Sequence, residues 1–237
     1  MRLLIAVVSI VLFLILFLKF KMKKLTFLIC IIIGISCFLF FNNVSYYSFF
    51  TCFFLVGILK SLSMLRNKKS DVKDYNMSNF VYSAGIPFIL SILIIILQSF
   101  QFPTFILHLI NLGIIVSIAS LLSDTAGSEI GQIFNFATVN IINLKEVKKG
   151  DDGGISLIGT IACLVIPAIF LMIINIVMPM SLSEKIILLL SAFISSIIDS
   201  IIGATLQNNR KVTNEQTNLI AISFSTMFCI VLILIIQ

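Results

Sequence analysis

Charge is what this chain has least of. Of its 237 residues only 11% are Asp, Glu, Lys or Arg, while 59% are hydrophobic, and the mean hydropathy is +1.18. A soluble domain carries roughly 25% charged and about 45–50% apolar residues, so a water-soluble fold is excluded. No stretch between the apolar runs is long enough for a separate soluble domain. Histidine is almost absent. The single one, His108, lies inside an apolar run, where a packed or interhelical hydrogen-bonding role outweighs ligation. The five cysteines, Cys30, Cys37, Cys52, Cys163 and Cys229, also fall inside apolar runs. They have neither metal-ligand spacing nor a secreted disulfide pattern. They read as small apolar helix residues, and His/Cys metal chemistry drops out.

What is there is a series of apolar runs, each close to the ~20 residues that cross hydrocarbon. Backbone in lipid must satisfy its own hydrogen bonds, so the runs are helices. Eight are predicted, at about 3–18, 25–41, 46–65, 79–99, 104–123, 155–178, 185–206 and 218–236. The fold class is all-α: a polytopic membrane helix bundle of about eight transmembrane helices. It forms one continuous membrane domain, with three spans and a basic loop in 1–78 and a second part in 79–237. The first span begins with a single Arg2, ends in Lys19, Lys21, Lys23 and Lys24, and has no small-x-small cleavage site behind it. It reads as a retained anchor rather than a signal peptide. Pro87, Pro167 and Pro179 fall within or at the ends of spans, where neighbouring helices must cover the freed carbonyls.

Lysine and arginine alternate by loop. Four lysines follow the first span; Arg66, Lys68, Lys69 and Lys73 follow the third. Lys145, Lys148 and Lys149 follow the fifth, and Arg210 and Lys211 the seventh. The loops between them are nearly empty of positive charge. The positive-inside rule places both termini outside and these four loops in the cytoplasm. The net charge of +6 is then accounted for by topology and anionic headgroups, without nucleic acid. A basic rim also suits a phosphorylated substrate, and charge alone does not separate the two.

Four polar islands interrupt the oil: "SDTAGSEIG" at 123–131, "GDDGGISLIGT" at 150–160, "DSIIGATLQ" at 199–207 and "TNEQTN" at 213–218. All four fall at the expected cytoplasmic ends of the last four spans. Asp199 stands between Ile198 and Ile201, where a carboxylate costs about 2.5–3.5 kcal/mol on insertion scales. With Ser195, Gly203 and Gln207 it recurs every four residues on one helix face. Small residues alone would read as helix packing; Asp199 and Gln207 shift the reading to function. Asp124 and Ser128 share a face, whereas Glu129 points about 140° away from Asp124 by the 3.6-residue repeat and pairs with Thr125 instead. Gly127 and Gly131 allow close approach of another backbone or a ligand. The turn Gly150–Gly154 can aim N–H groups at an anion ahead of a helix N-terminus, although a plain Asp-Gly turn explains it equally well. It is not a P-loop, since no Gly-Lys-Ser/Thr follows, and Asp151 and Asp152 beside a phosphate would need a divalent ion between. In the fourth island, helix capping by Thr213 or Asn214 stands level with a ligand role for Asn214 and Asn218.

Taken in order, "DTAGSEIG", "GDDGGISLIGT", "DSIIGATLQ" and "TNEQTN" resemble the polar blocks of the DUF92 family of integral membrane proteins, which includes TMEM19-like proteins and the plant phytyl-phosphate kinase. The resemblance covers about 79 to the C-terminus and makes 79–237 the core. One block departs: "FVYSAG", Phe80–Gly85, stands where the family carries a Gln-Val-x-x-Asn-Gly element. The opening block is also similar to a looser pattern in dolichol and phytol kinases. The resemblance implies a membrane-embedded kinase that converts a phytyl- or geranylgeranyl-type isoprenoid monophosphate to the diphosphate with a nucleoside triphosphate, CTP foremost. It implies catalytic roles for Asp124, Glu129 and Asp199, with Asp124 and Asp199 on Mg2+. Substrate and phosphate contacts would come from Ser128, Gly150, Gly153, Gly154, Ser156, Ser200, Gln207, Asn214 and Asn218, with Lys148, Lys149, Arg210 or Lys211 as screening cations. The expected partners are the bilayer and the isoprenoid phosphate, with the site on the cytoplasmic face of a cell membrane. Two other classes compete on the residues alone. A secondary transporter would also use intramembrane acids, but no internal repeat is visible and the islands gather on one face. A non-catalytic scaffold has no need of five acids in these islands' first three blocks.

Overall fold

The structure, a computed structural model, describes residues 43–66, 77–134, 136–207, 209 and 211–236. The first two expected spans and most of the basic loop after the third lie outside the described residues. Six helices follow: α1 Asn43–Arg66, α2 Met77–Ser99, α3 Thr104–Ile133, α4 Leu157–Ile174, α5 Leu182–Ile202 and α6 Asn214–Ile236. A five-residue π-helical turn, Gly203–Gln207, prolongs α5. Among these, Thr104–Ile133, Leu157–Ile174, Leu182–Gln207 and Asn214–Ile236 are long and apolar enough to cross a membrane, while α1 and α2 contribute the shorter apolar helices Asn43–Leu59 and Ala84–Ser99.

Helix α3 is the axis of the bundle and touches all five of the others. Every residue from Leu112 to Ser120 is buried, so this helix is apolar all round because protein surrounds it. The outer helices differ. Met172 on α4 and Met227 and Ile235 on α6 are each about 70% exposed (71%, 69% and 72%), an apolar surface of the kind that faces lipid.

Two boundaries differ from expectation. The fifth span, expected to end at 123, runs on to Ile133, so the first polar island lies inside a helix and not at its exit. Packing explains the extension: Gly127 and Gly131 lie against Gly159 of α4. A Cβ at Gly159 would sit 2.9 Å from the Gly127 carbonyl oxygen, and one at Gly127 would sit 2.5 Å from Cys163 Sγ. The absence of side chains lets the two backbones close, which gives the polar turns tertiary support. The Ser123 hydroxyl adds an interhelical bond by donating to the Cys163 carbonyl at 2.8 Å.

The second difference is a small β-hairpin in a fold expected to be all helix. β1 Val139–Asn140 pairs antiparallel with β2 Gly154–Ile155, Val139 opposite Ile155 and Asn140 opposite Gly154. The connection between α3 and α4 is therefore a folded element. Its base docks on the end of α5, since a Cβ on Gly153 would collide with the Cα and Cβ of Ala204.

The helix starts are fixed by local chemistry. Ser156 accepts the Gly159 N–H at the head of α4. Ser181 and Glu184 form a reciprocal capping box at the head of α5. At the head of α6 the Thr213 N–H donates to Gln216 Oε1 at 3.0 Å and the Gln216 N–H donates to Thr213 Oγ1 at 3.4 Å. The capping role thus falls to Thr213.

Candidate functional site

Helices α3 and α5 run in the same direction, and two contacts along them establish this. Near their N-termini His108 Nε2 meets Glu184 Oε1 at 2.6 Å. Farther along, the side chains of Asp124 and Asp199 come within hydrogen-bonding range of each other. The lone histidine is accordingly an interhelical hydrogen-bonding residue, as its apolar setting implied. At ~1.5 Å per residue Asp124 lies about 30 Å along the axis from Thr104, the thickness of a hydrocarbon core. The carboxyl pair therefore sits at the boundary opposite His108.

Helix α6 runs back from that boundary and brings Asn218 to the pair in its first turns. Asp124, Asp199 and Asn218, with Ser120, Leu121, Ser195, Ala221 and Ile222, line a cavity of about 10 Å³, roughly one water in size. Two of its oxygens, Asp199 Oδ1 and Asn218 Oδ1, are buried without a hydrogen-bond partner. An unsatisfied buried acceptor costs about 1–3 kcal/mol. Two carboxyl groups in hydrogen-bonding range must also hold a proton or a cation between them. Asp152, at the base of the hairpin, is near enough for its charge to reach Asp199.

This donor set suits a hard divalent cation. Mg2+ takes oxygen ligands and typically uses one or two carboxylates, leaving other positions to water and phosphate. Two carboxylates and an amide oxygen meet that description. Among the described residues no group of three or more His, Cys, Asp and Glu side chains is placed to hold a metal, so a cation here would depend on a phosphate-bearing substrate to complete its shell.

The other expected residues occupy varied places. Glu129 stays on α3 outside the cavity lining. Ser128 is exposed and donates to the Thr125 carbonyl at 3.1 Å. Gly150 and Gly153 have φ of +85° and +76°, the region that favours glycine. The Gly154 N–H donates to the Asp151 carbonyl at 3.0 Å, and Asp151 Oδ2 accepts the Lys148 N–H at 3.0 Å. These groups hold the turn together. Ser156 is the α4 cap described above. Ser200 follows Asp199 without lining the cavity. Gln207 Oε1 accepts from Thr217 Oγ1 at 3.5 Å, tying the π turn to α6. Asn214 is exposed, one turn before Asn218. Lys149 Nζ donates to the Phe134 carbonyl at 2.7 Å, a cation on a helix C-terminus. Arg210 lies outside the described residues.

Sequence reasoning did not single out Ser120, whose Oγ lies 2.7 Å from Ser225 Oγ. The available signal was spacing: Ser120 is one turn before Asp124, and Ser225 is two turns after Asn218. The four islands meet at one end of the bundle, through Asp124 with Asp199, Gly153 with Ala204, and Gln207 with Thr217.

Spanning helices around a buried central helix, with carboxylates turned inward at one boundary, define an integral membrane protein with a polar site between its helices. The chain belongs to the DUF92 family of integral membrane proteins, whose pattern matches residues 7–226. That match reaches well ahead of the four islands, into the first span. Among its relatives, an uncharacterized membrane protein of Synechocystis, sll0875, is 36% identical over 108 residues, covering 45% of this chain and 42% of that protein. An uncharacterized membrane protein of Methanocaldococcus jannaschii, MJ0933, is 29% identical over 186 residues, 77% of this chain and 74% of that protein. Protein VTE6, chloroplastic, of Arabidopsis thaliana is 30% identical over 129 residues, 53% of this chain and 38% of that protein. The chain thus matches less than half the length of the first and third. No solved structure is a significant match.

Proposed function

We propose that the protein is a membrane-embedded kinase that extends an isoprenoid monophosphate, of phytyl or geranylgeranyl type, to the diphosphate at the expense of a nucleoside triphosphate, CTP foremost. The observation that carries this reading is the joining of Asp124, Asp199 and Asn218 around one cavity, with two buried oxygens lacking partners. The isoprenoid acceptor and CTP come from the resemblance of the four islands to the family's blocks. Phosphoryl transfer suits such a site because it demands positioning and charge neutralisation more than covalent chemistry.

In this reading Asp124 and Asp199 hold Mg2+, with Asn218 Oδ1 as third oxygen. The ion, when bound, would neutralise the phosphate oxygens during transfer. Asp124 and Asp199 orient the site from two parallel helices, and Asn218 fixes α6 against them. The exposed Lys148 and Lys211 at the same end attract the nucleotide. The acceptor phosphate is already anionic at pH 7, so no general base is needed. The lipid tail lies between helices and its phosphate lies at the boundary, taken to be the cytoplasmic one from the lysine distribution, with both termini outside.

The test is direct. Purified full-length protein in detergent is given phytyl or geranylgeranyl monophosphate, each nucleoside triphosphate in turn, and Mg2+. Appearance of the isoprenoid diphosphate supports the kinase. Its absence with every pair, together with uptake of a solute or ion by proteoliposomes, would favour the transporter. That second reading draws on the buried hydroxyls of Ser120, Ser195 and Ser225, which continue inward from the carboxyl pair.

A further inference from the structure

The hairpin between α3 and α4 presents a puzzle that the site does not absorb. Its strands are short and its base is docked on Ala204, but its tip carries apolar side chains in the open. Phe136, Ile142 and Leu144 are 48%, 55% and 69% exposed. Leu144 also has a φ of +56°, a region ordinarily left to Gly, Asn or Asp. An apolar side chain is thus kept where the backbone disfavours it and no described residue covers it.

The tip is shaped in advance. The Leu144 N–H donates to the Asn140 carbonyl at 2.8 Å, and the Asn140 N–H donates to the Lys145 carbonyl at 2.9 Å. Asn140 Oδ1 accepts the Ile142 N–H at 2.9 Å and Asn143 Oδ1 accepts the Lys145 N–H at 3.0 Å. A surface fixed before it meets its partner loses little freedom on meeting it.

Charge is sorted along the hairpin. Lys145, Lys148 and Lys149 stand toward the tip against the single acid Glu146. Of the two acids at the base, Asp151 is bonded to the Lys148 N–H, and Asp152 lies near Asp199. Both ends of the hairpin join helices of membrane-spanning length, so its base stands at the edge of the hydrocarbon layer.

Apolar groups beside lysines at that depth match a headgroup interface, where the apolar face sinks toward the acyl chains and the cations meet anionic phosphates. We propose that the hairpin is a membrane-interface anchor: Ile142 and Leu144 enter the bilayer boundary, and Lys145 and Lys148 engage anionic phospholipid headgroups.

The chain contains no tryptophan, so one introduced indole reports alone. Full-length Leu144→Trp is reconstituted in phosphatidylcholine vesicles with and without phosphatidylglycerol, with brominated or ordinary acyl chains. Blue-shifted emission, loss of at least half the intensity to brominated lipid and protection from acrylamide are expected. Adding Lys145→Glu and Lys148→Glu should reduce the bromolipid quenching at least twofold in vesicles containing phosphatidylglycerol. Emission like that of a tryptophan in water, fully open to acrylamide, would overturn the anchor. So would blue-shifted emission insensitive to brominated lipid, which would mean that protein covers the tip. Ile142→Trp, at a residue without positive φ, gives the same readout if the Leu144 variant does not fold.

Discussion

Asp199 on α5 and Asn218 on α6 each aim a side-chain Oδ1 into one cavity, and neither oxygen has a hydrogen-bond partner. Structures keep unsatisfied buried acceptors where something outside the chain completes them. Replacing Asn218 by Leu removes one such oxygen at similar volume. Thermal unfolding in detergent should be unchanged or shifted upward, by an equivalent of ~1 kcal/mol. Isoprenoid diphosphate formation should fall at least ~10-fold, one charge-assisted contact of about 1.5–3 kcal/mol being lost. A parallel fall in stability and activity would assign Asn218 to packing alone.

Replacing Asp124 or Asp199 by Asn keeps shape and removes charge. Each variant should insert and purify as the native chain does, with transfer reduced by ~10²-fold or more, the scale of losing one electrostatic contact to the reacting group. Wild-type turnover in both variants would remove these residues from the mechanism.

The contact between Gly127 and Cys163 gives a test by rescue. A Cβ at Gly127 falls 2.5 Å from Cys163 Sγ, with its next neighbour, the Gly159 carbonyl oxygen, at 3.6 Å. Gly127→Ala should destabilise by about 1–3 kcal/mol, as overpacking does. Adding Cys163→Ala removes the obstructing sulfur and should recover ~1 kcal/mol in a double-mutant cycle. Additive losses would mean that the backbones, not the sulfur, limit the approach.

Glu184 serves two partners at once: Oε1 meets His108 Nε2 and Oε2 accepts the Ser181 N–H, both at 2.6 Å. Glu184→Ala should therefore cost more than His108→Ala. The histidine variant loses one charge-assisted bond of about 1.5–3 kcal/mol. The glutamate variant loses the reciprocal cap as well, a further 0.5–2 kcal/mol or so. Chemical denaturation in mixed micelles would order the two, and equal losses would contradict the double role.

Gly153 has a φ of +76° and its missing side chain leaves room for Ala204. Gly153→Ala should lift the hairpin base from the end of α5. The helices should remain, by circular dichroism, while transfer falls ~10-fold through displacement of Asp152 and the π turn, since an ångström of misplacement costs on the order of 10²-fold at most sites.

How much of this was legible beforehand depends on which residues interact locally. The six described helices were visible because apolar runs in lipid have little alternative to helix. His108 was readable from its surroundings. Asp124 and Asp199 stood out as carboxylates among isoleucines. The extension of α3 to Ile133 was hidden, because what supports it is Gly159, some thirty residues on. The choice of Asn218 over Asn214 was hidden too, since a one-turn shift along α6 matters only once the depth of α3 and α5 is known. Thr213 as cap was one of two local options, and the Gln216 side chain settles it. The hairpin escaped notice because strands of two residues leave no alternation to detect.

Parallel rods fastened at a single point can still pivot. Helices α3 and α5 are fastened at both ends, by His108 to Glu184 at one boundary and by Asp124 to Asp199 at the other. Rocking one helix about the other, the stroke by which a carrier opens first to one side and then to the opposite one, would break one of these joints at every cycle. A fixed anvil between two stationary helices is the mechanical character this pair confers.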